Sequence, residues 1–348
     1  MRSRARFHRE GGFALALVVL MLFAIGVAAT AAYQVVRTEF MLSTVNRQSI
    51  LALSVARAGL QRFIAEQIGT VGDSVSYAIG DGVATVTSRR LLETDSTTYL
   101  YYLRSEGVYT DPRAPQTPAR RAVGTYAWYH TRPVKHKAAV MVAAGNVGFR
   151  YDSTEVDGLD HATSYDCAGG GTAGVAGAIA STTPITEYGA TITGNPSVDY
   201  YSSNQAVVDS AGIRWDILSD PNFPVEFDGS PPDFSALPAD SFPVVRYVGN
   251  LSATSAWSGR GVLIVTGYLS LSWGFSWQGI ILAGALANVG YYTDPQVEGT
   301  LIAGLNQSDN YVRLNSGNYD YNSCYVYAAN ESLSYLDVVD KTIFEINR

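Results

Sequence analysis

The chain has 348 residues, of which 47% are hydrophobic and only 16% charged, and its formal net charge is −7. Binding to nucleic acid needs clustered Lys and Arg that neutralise phosphates, whereas this acidic chain clusters basic residues only at its N-terminus. The composition therefore argues against a nucleic-acid partner, and the length is sufficient for two folded units beyond a membrane segment.

The first predicted element is a membrane-spanning helix. Four arginines among residues 1–12 precede an uncharged stretch from Phe13 to Ala32. At about 1.5 Å per residue, this stretch of roughly 20 residues matches the roughly 30 Å hydrocarbon core of a bilayer. Because positive residues stay in the cytoplasm, the sequence predicts a single-pass inner-membrane protein whose remaining chain lies outside the cytoplasm.

The helix is predicted to continue beyond the membrane. The chain has no proline before Pro112, and apolar residues recur at helical spacing as far as Phe63 and Ile64. Gly69 then supplies a stop signal. We therefore predict one helix over residues 13–68, transmembrane in its first part and amphipathic in its second.

The N-terminus resembles the type IV prepilin signal, in which a short basic leader ending in glycine precedes an apolar helix. Here the glycine is Gly12 and the next residue is Phe13. The resemblance implies that residues 1–12 are a leader, that a prepilin peptidase cuts between Gly12 and Phe13 and methylates the new N-terminus, and that the helix stays in the mature protein. Gly11 is the competing cleavage site, and a plain single-pass anchor is the alternative interpretation.

One position departs from the pattern of major pilins, which carry a glutamate as the fifth mature residue. This chain has Leu17 there. The departure resembles PilX-type minor pilins and the K-type pseudopilin of type II secretion, and the segment 56–60 resembles PilX-type helices, with Arg57 where Glu is common. The resemblance implies a subunit at or near a filament tip, with other pilins, the assembly platform and a tip adhesin as candidate partners.

The fold class predicted for the whole chain is α+β, and residues 69–133 form its first sheet. A hairpin-type turn at Gly80-Asp81-Gly82 predicts antiparallel pairing, and the sheet should cover the apolar face of the helix around residues 53–64. We call this a small antiparallel pilin-like sheet. Its predicted strands are Ser74–Ile79, Val83–Thr87, Tyr99–Val108 and Ala122–Tyr129.

Residues 134–348 have a different pattern, in which short aliphatic runs end at glycine. Three of them, ending at Gly267, Gly284 and Gly304, recur about every 20 residues, and such repeats are typical of stacked parallel strands. We therefore predict a glycine-rich, β-helix-like or solenoid-like C-terminal domain, with a β-sandwich as the alternative.

The two cysteines, Cys167 and Cys324, do not form a C-x-x-C pair, so a zinc or thioredoxin-like site has no support. Outside the cytoplasm a disulfide between them is the default expectation, and two buried free thiols are the alternative.

Sequence motifs of enzymes are absent. We find no P-loop, H-E-x-x-H, G-x-S-x-G or dinucleotide fingerprint, and we predict no catalytic or metal site and no cofactor. The acidic residues around Asp157 and His161 lack the closing Glu of a calcium loop and indicate a surface turn. Trp273, Phe275 and Trp277 favour core packing over a sugar-binding or partner-binding face.

Three functions are compatible with these features. The first is a minor pilin or pilin-like subunit of a type IV pilus, exposed at the cell surface after assembly. The second is a K-type pseudopilin, which predicts a large body of mixed helix and sheet. The third is a membrane-anchored, exported carbohydrate-binding or carbohydrate-active β-helix protein, which predicts paired carboxylates on adjacent coils with a nearby Arg or Lys.

Overall fold

The structure, a computed structural model, describes residues 11–66, 74–95, 97–112, 118–135, 138–150, 154–162, 177–286, 293–307 and 312–346. Its longest element is α1 (Gly11–Glu66), a single helix of 56 residues. The predicted long N-terminal helix is therefore confirmed. Three short α-helices follow within the described ranges: α2 (Asn204–Ala211), α3 (Trp215–Leu218) and α4 (Ser323–Glu331).

The two halves of α1 have different surroundings. Every residue from 15 to 47 is exposed, whereas from Gln48 onward one face of the helix is covered by protein. The helix is long and apolar enough to cross a membrane, a property that membrane anchors and signal sequences share. We refer to residues 15–47 as the bare segment and to residues 48–66 as the packed segment.

The packed segment lies on an antiparallel sheet. Its first four strands pair in chain order, as the hairpin pattern predicts. Leu60 and Phe63 of α1 are buried against this sheet, and full burial of each such side chain stabilises the fold by about 1.5–3 kcal/mol. The strands are β1 (Ser74–Ile79), β2 (Gly82–Asp95), β3 (Thr98–Tyr109) and β4 (Ala119–His130).

Small residues allow α1 to approach the sheet closely. A Cβ atom on Gly107 of β3 would lie 2.2 Å from the carbonyl oxygen of Ala52 and 2.4 Å from the amide nitrogen of Ala56. A Cβ atom on Gly59 would lie 2.2 Å from the Cβ atom of Ala84. Larger residues at either glycine would push helix and sheet apart, because packed interiors leave no space for additional atoms.

Parallel strands dominate the middle of the chain. Twelve of them form one sheet and three form another, and all pairings described within the two sheets are parallel. The strands are β5 (Ala138–Val142), β6 (Val147–Arg150), β7 (Thr154–Asp157), β8 (Gly177–Ser181), β9 (Thr186–Tyr188), β10 (Thr191–Thr193), β11 (Val198–Tyr200), β12 (Phe227–Asp228), β13 (Val244–Tyr247), β14 (Leu251–Ala253), β15 (Gly259–Leu271), β16 (Ser276–Leu286), β17 (Gln296–Ala303), β18 (Val312–Leu314) and β19 (Gly317–Asp320).

A row of glycines crosses the centre of the larger parallel sheet. Gly261, Gly279 and Gly299 occupy matched positions on β15, β16 and β17, and all three have positive φ. A Cβ atom on Gly279 would lie 2.4 Å from the carbonyl oxygen of Gly261, so only glycine fits there. The glycine-rich runs are thus parallel strands, as predicted, but a solenoid is not confirmed.

The end of the chain returns to the first sheet. Two strands, β20 (Tyr335–Val338) and β21 (Phe344–Ile346), pair antiparallel with β4 on the edge opposite β3. The sequence prediction assigned these residues to the C-terminal domain, whereas they complete a six-stranded sheet with β1–β4. Covering the edge of β4 removes a row of unpaired backbone groups.

Candidate functional site

The bare segment of α1 is the first candidate functional surface. Soluble monomers rarely expose contiguous apolar patches larger than a few hundred Å², so a surface of this kind indicates contact with lipid or with other proteins. Its exposed large apolar side chains include Leu15, Leu17, Val18, Val19, Leu20, Met21, Leu22, Phe23, Ile25, Val27, Val35 and Val36.

Three threonine side chains on the bare segment form hydrogen bonds within the helix. The hydroxyls of Thr30, Thr38 and Thr44 donate to backbone carbonyls one turn earlier, at 2.8, 2.8 and 2.9 Å. The first charged residue of α1 is Arg37, so the uncharged stretch from Leu15 onward covers roughly 33 Å of helix axis. Both properties suit a hydrocarbon environment, in which every polar group needs an internal partner.

The predicted processing site lies at the start of α1. Gly12 and Phe13 belong to the beginning of this helix, and residues 1–10 of the predicted leader lie outside the described residues. Leu17, which stands where major pilins have glutamate, is 46% exposed on the bare segment. Cleavage between Gly12 and Phe13 stays a prediction.

The structure describes only one of the two cysteines of the predicted disulfide. Cys324 is buried at the start of α4, where the side chain of Asn322 caps the helix by accepting hydrogen bonds from two backbone amides, and no described cysteine is free. Cys167 lies outside the described residues, so its pairing with Cys324 stays a prediction.

A second candidate is a row of carboxylates on the larger parallel sheet. Asp157, Asp320 and Glu298 occupy matched positions on β7, β19 and β17. Neighbouring strands lie about 4.8 Å apart, so the three side chains are close neighbours. Burial raises the pKa of Asp320, and the charges of Glu155, Asp157 and Glu298 raise it further, while His161 acts in the opposite direction.

The carboxylates of this row have mainly structural partners. Asp157 contacts the His161 ring at 2.9 Å, and Glu298 accepts a hydrogen bond of 3.2 Å from Gln278. Arg260 lies in the same row next to Gln278, but its guanidinium donates to the backbone carbonyls of the proline-rich segment, at 2.8 Å from Ser241 and 2.7 Å from Pro238. No metal-holding group of three His, Cys, Asp or Glu occurs among the residues that the structure describes.

The predicted surface turn and the predicted aromatic packing are both seen in part. Asp160 accepts hydrogen bonds from the backbone and hydroxyl of Ser323, at 2.9 and 2.6 Å, so it anchors α4. Phe275 and Trp277 are fully buried, and the Trp277 indole donates to Gly261 at 3.1 Å. Trp273 instead points to solvent and is 78% exposed.

A third candidate is a cleft of about 860 Å³, which we call the junction cleft. It lies where the antiparallel sheet meets the region of parallel strands β5–β19, which we call the parallel region. The sequence prediction missed the cleft because its walls come from five separate stretches of the chain. The residues that line it include Asp95, Thr97, Trp128, His130, Arg132, Lys135, Asp209, Arg214, Tyr327, Tyr335 and Asp337.

The junction cleft contains an ion-pair network and an aromatic pair. Arg214 donates to Asp216 through two hydrogen bonds of 3.0 and 2.8 Å and also pairs with Asp337 of β20. The His130 ring lies 5.1 Å from the Tyr335 ring, and burial lowers the pKa of His130. The Asp216 carboxylate raises the pKa of Arg214, so this guanidinium stays charged.

Comparison with known proteins returns no match among protein families, curated proteins or solved structures. The three surfaces described above are therefore the basis for assigning a function.

Proposed function

We propose that this protein is a minor pilin or pilin-like subunit of a type IV pilus assembly, with a structural role at or near the filament tip. The observation that supports it best is the division of α1. An apolar bare segment continues without a break into a packed segment that lies on an antiparallel sheet. This arrangement suits a subunit whose helix is held by lipid before assembly and by other helices afterwards.

The transfer from lipid to filament is physically reasonable for this helix. Lipid tails are as apolar as the side chains of this helix. Helices inside a membrane therefore associate through packing rather than through the hydrophobic effect. The bare segment can therefore exchange lipid for neighbouring pilin helices at small cost. Leu17 provides no carboxylate to pair with the N-terminal amine of a neighbour, so the subunit needs no pilin above it, which favours a tip position.

In this proposal the parallel region is a solenoid-like domain that the pilus carries outward. The matched glycine row of β15, β16 and β17 supports stacked coils, because each glycine follows the previous one at the same level. Its partners at the tip would be other minor pilins and an adhesin, and the helix would contact the assembly platform in the membrane.

The test is mass spectrometry of the N-terminus in cells with and without a prepilin peptidase. A mature chain that starts at Phe13 only when the peptidase is present would support the proposal. Gly11→Ala serves as the control, since it leaves the glycine at position 12 and should still be cut. An intact Met1, or a cut beyond Ala32, would contradict it.

Pilus use and secretion use share this processing and need a separate test. Deletion of the protein should remove or shorten surface filaments if it serves a pilus. Deletion that leaves filaments intact and stops protein secretion would favour the pseudopilin instead.

One observation favours a second candidate, a membrane-anchored carbohydrate-active protein. Asp157, Asp320 and Glu298 lie side by side, as paired carboxylates of glycoside hydrolases do, and the pKa of Asp320 is raised as in a general acid. Release of reducing ends from polysaccharides, abolished by Asp320→Asn and by Glu298→Gln, would establish this function. Equal release by the wild type and both variants would exclude the carboxylate row as its site.

A further inference from the structure

The junction cleft has properties of a preformed binding site. Its volume of about 860 Å³ lies within the range of pockets for small ligands, roughly 300–1,000 Å³. Aromatic rings and polar side chains both line it, and neither the bare segment of α1 nor the carboxylate row takes part.

Contacts between the two regions of the protein hold the cleft open in one shape. The buried amide of Asn330 donates to the carbonyl of Val134 at 2.8 Å and accepts from its amide at 3.1 Å. At the end of the antiparallel sheet, the backbone amide of Thr131 donates to the carbonyl of Thr97 at 2.8 Å and fixes the wall beside β3 and β4. Arg214 links α3 to β20 through Asp337. When the walls of a site are already ordered, binding carries no entropy cost for ordering them, and the affinity is higher.

Among the described residues that line the cleft, positive and negative charges balance one another. Three carboxylates, Asp95, Asp209 and Asp337, face three cations, Arg132, Lys135 and Arg214. Arg214 is engaged by two carboxylates, and Arg132 lies 4.4 Å above the centre of the Tyr327 ring and 3.6 Å from Glu331. The cleft therefore selects neither an anion nor a cation and is suited to a neutral ligand that makes many hydrogen bonds.

The aromatic side chains of the cleft indicate that its ligand also has an apolar face. Trp128 and Tyr327 line the cleft and are partly exposed; Arg132 already covers one face of Tyr327, and Trp128 is the ring that can offer a face to a bound molecule. A pyranose ring has the required chemistry, since its C–H face packs on an aromatic ring while its hydroxyls bond to polar groups.

We propose that the junction cleft binds a neutral saccharide of one to three rings. Trp128 packs against a pyranose face, and Asp95 and Arg132 bond to its hydroxyls. This role is independent of whether α1 assembles into a pilus.

The test uses the full chain in nanodiscs, because detergents with sugar headgroups would compete for the cleft. Binding is measured on an array of neutral mono-, di- and trisaccharides built from glucose, galactose and N-acetylglucosamine, with uronic and sialic acid conjugates beside them. We expect binding to at least one neutral saccharide. Trp128→Ala should weaken that binding about tenfold, the loss expected for one aromatic packing contact.

Three further variants separate ligand contact from fold damage. Trp128→Phe keeps a ring and should retain most of the affinity. Asp95→Asn keeps an oxygen that can accept the two hydrogen bonds of 2.8 Å from the backbone amide and hydroxyl of Thr97, but it should weaken binding. Trp273→Ala removes an exposed indole outside the cleft and should have no effect. Absence of any neutral saccharide that binds, binding confined to the charged conjugates, or binding unchanged in both Trp128→Ala and Asp95→Asn would overturn the proposal.

Discussion

The two segments of α1 are equally helical and both rich in apolar residues, but they differ in residue size and in environment. The packed segment turns the small residues Ala52, Ala56 and Gly59 toward a sheet whose backbone it nearly touches. The bare segment carries exposed leucines, valines and phenylalanines. Apolar composition alone therefore does not tell whether a helix face meets protein or lipid. The small residues of the packed segment allow the close approach to the sheet, and Leu60 and Phe63 fill the core beside them, whereas the large side chains of the bare segment have no protein neighbour in the described part of the chain.

The largest expected effect separates two phenylalanines of the same helix. Phe63 is 3% exposed and Phe23 is 73% exposed. Phe63→Ala should lower the free energy of unfolding by about 3–5 kcal/mol, because it leaves a cavity between α1 and the sheet. Phe23→Ala should leave it unchanged. Urea unfolding in nanodiscs measures both, and a comparable loss in the two variants would refute the division of α1.

A charge placed on the bare segment tests the same difference between the two segments through membrane insertion. Leu22→Arg should oppose membrane insertion by about 3 kcal/mol, the cost of an arginine near the centre of a membrane helix. Gln61→Arg, at an exposed position of the packed segment, is the matched control and should insert normally. Alkaline extraction of membranes reports the inserted fraction. Normal insertion of Leu22→Arg would mean that the bare segment does not lie in the bilayer.

Two helical glycines give a smaller effect of opposite sign. A Cβ atom at Gly59 collides with Ala84, whereas nothing lies within 4 Å of a Cβ atom at Gly26. Gly59→Ala should destabilise the fold by about 1–3 kcal/mol through overpacking. Gly26→Ala should only favour the helix. If thermal unfolding shows that Gly59→Ala is neutral, α1 lies farther from the sheet than described.

The smallest effect lies outside α1 and is pH-dependent. The pKa of Asp320 is raised on folding, so its stabilising contribution is present in acid and is lost as pH rises through the folded pKa. Asp320→Asn should therefore be more stable than the wild type at pH 7, with the difference disappearing below pH 4. Unfolding midpoints at both pH values test this. If Asp320→Asn is less stable than the wild type at pH 7, the ionised carboxylate of Asp320 has a stabilising partner, which would contradict this prediction.

Much of the fold could be predicted from local pattern. The absence of proline before Pro112 predicted one continuous helix, and Gly69 predicted its end near the observed Glu66. The glycine-containing turn at residues 80–82 predicted the β1–β2 hairpin. The glycine-ended runs predicted parallel strands because short buried strands read as continuous apolar segments. In each case the signal lies within about 20 residues of the element that it specifies.

The remaining features depend on pairings between distant residues. The pairing of β20 with β4 joins stretches about 200 residues apart, and nothing local distinguishes it from pairing within the parallel region. Asp157 and Asp320 become neighbours only through the register of β7 and β19. Arg246 looks like a surface residue in the sequence, but it is 3% exposed and donates to the carbonyls of Asp220, Pro221 and Phe223.

The central claim is that the bare segment lies against lipid or foreign helices while the packed segment lies against its own sheet. Photo-leucine placed singly at Leu22 and at Leu60 tests it most directly, since the two positions are 63% and 2% exposed. In membranes, position 22 should cross-link to lipid or to another protein, and position 60 only to residues of the same chain. Cross-links from position 22 into the protein's own sheets would contradict the account.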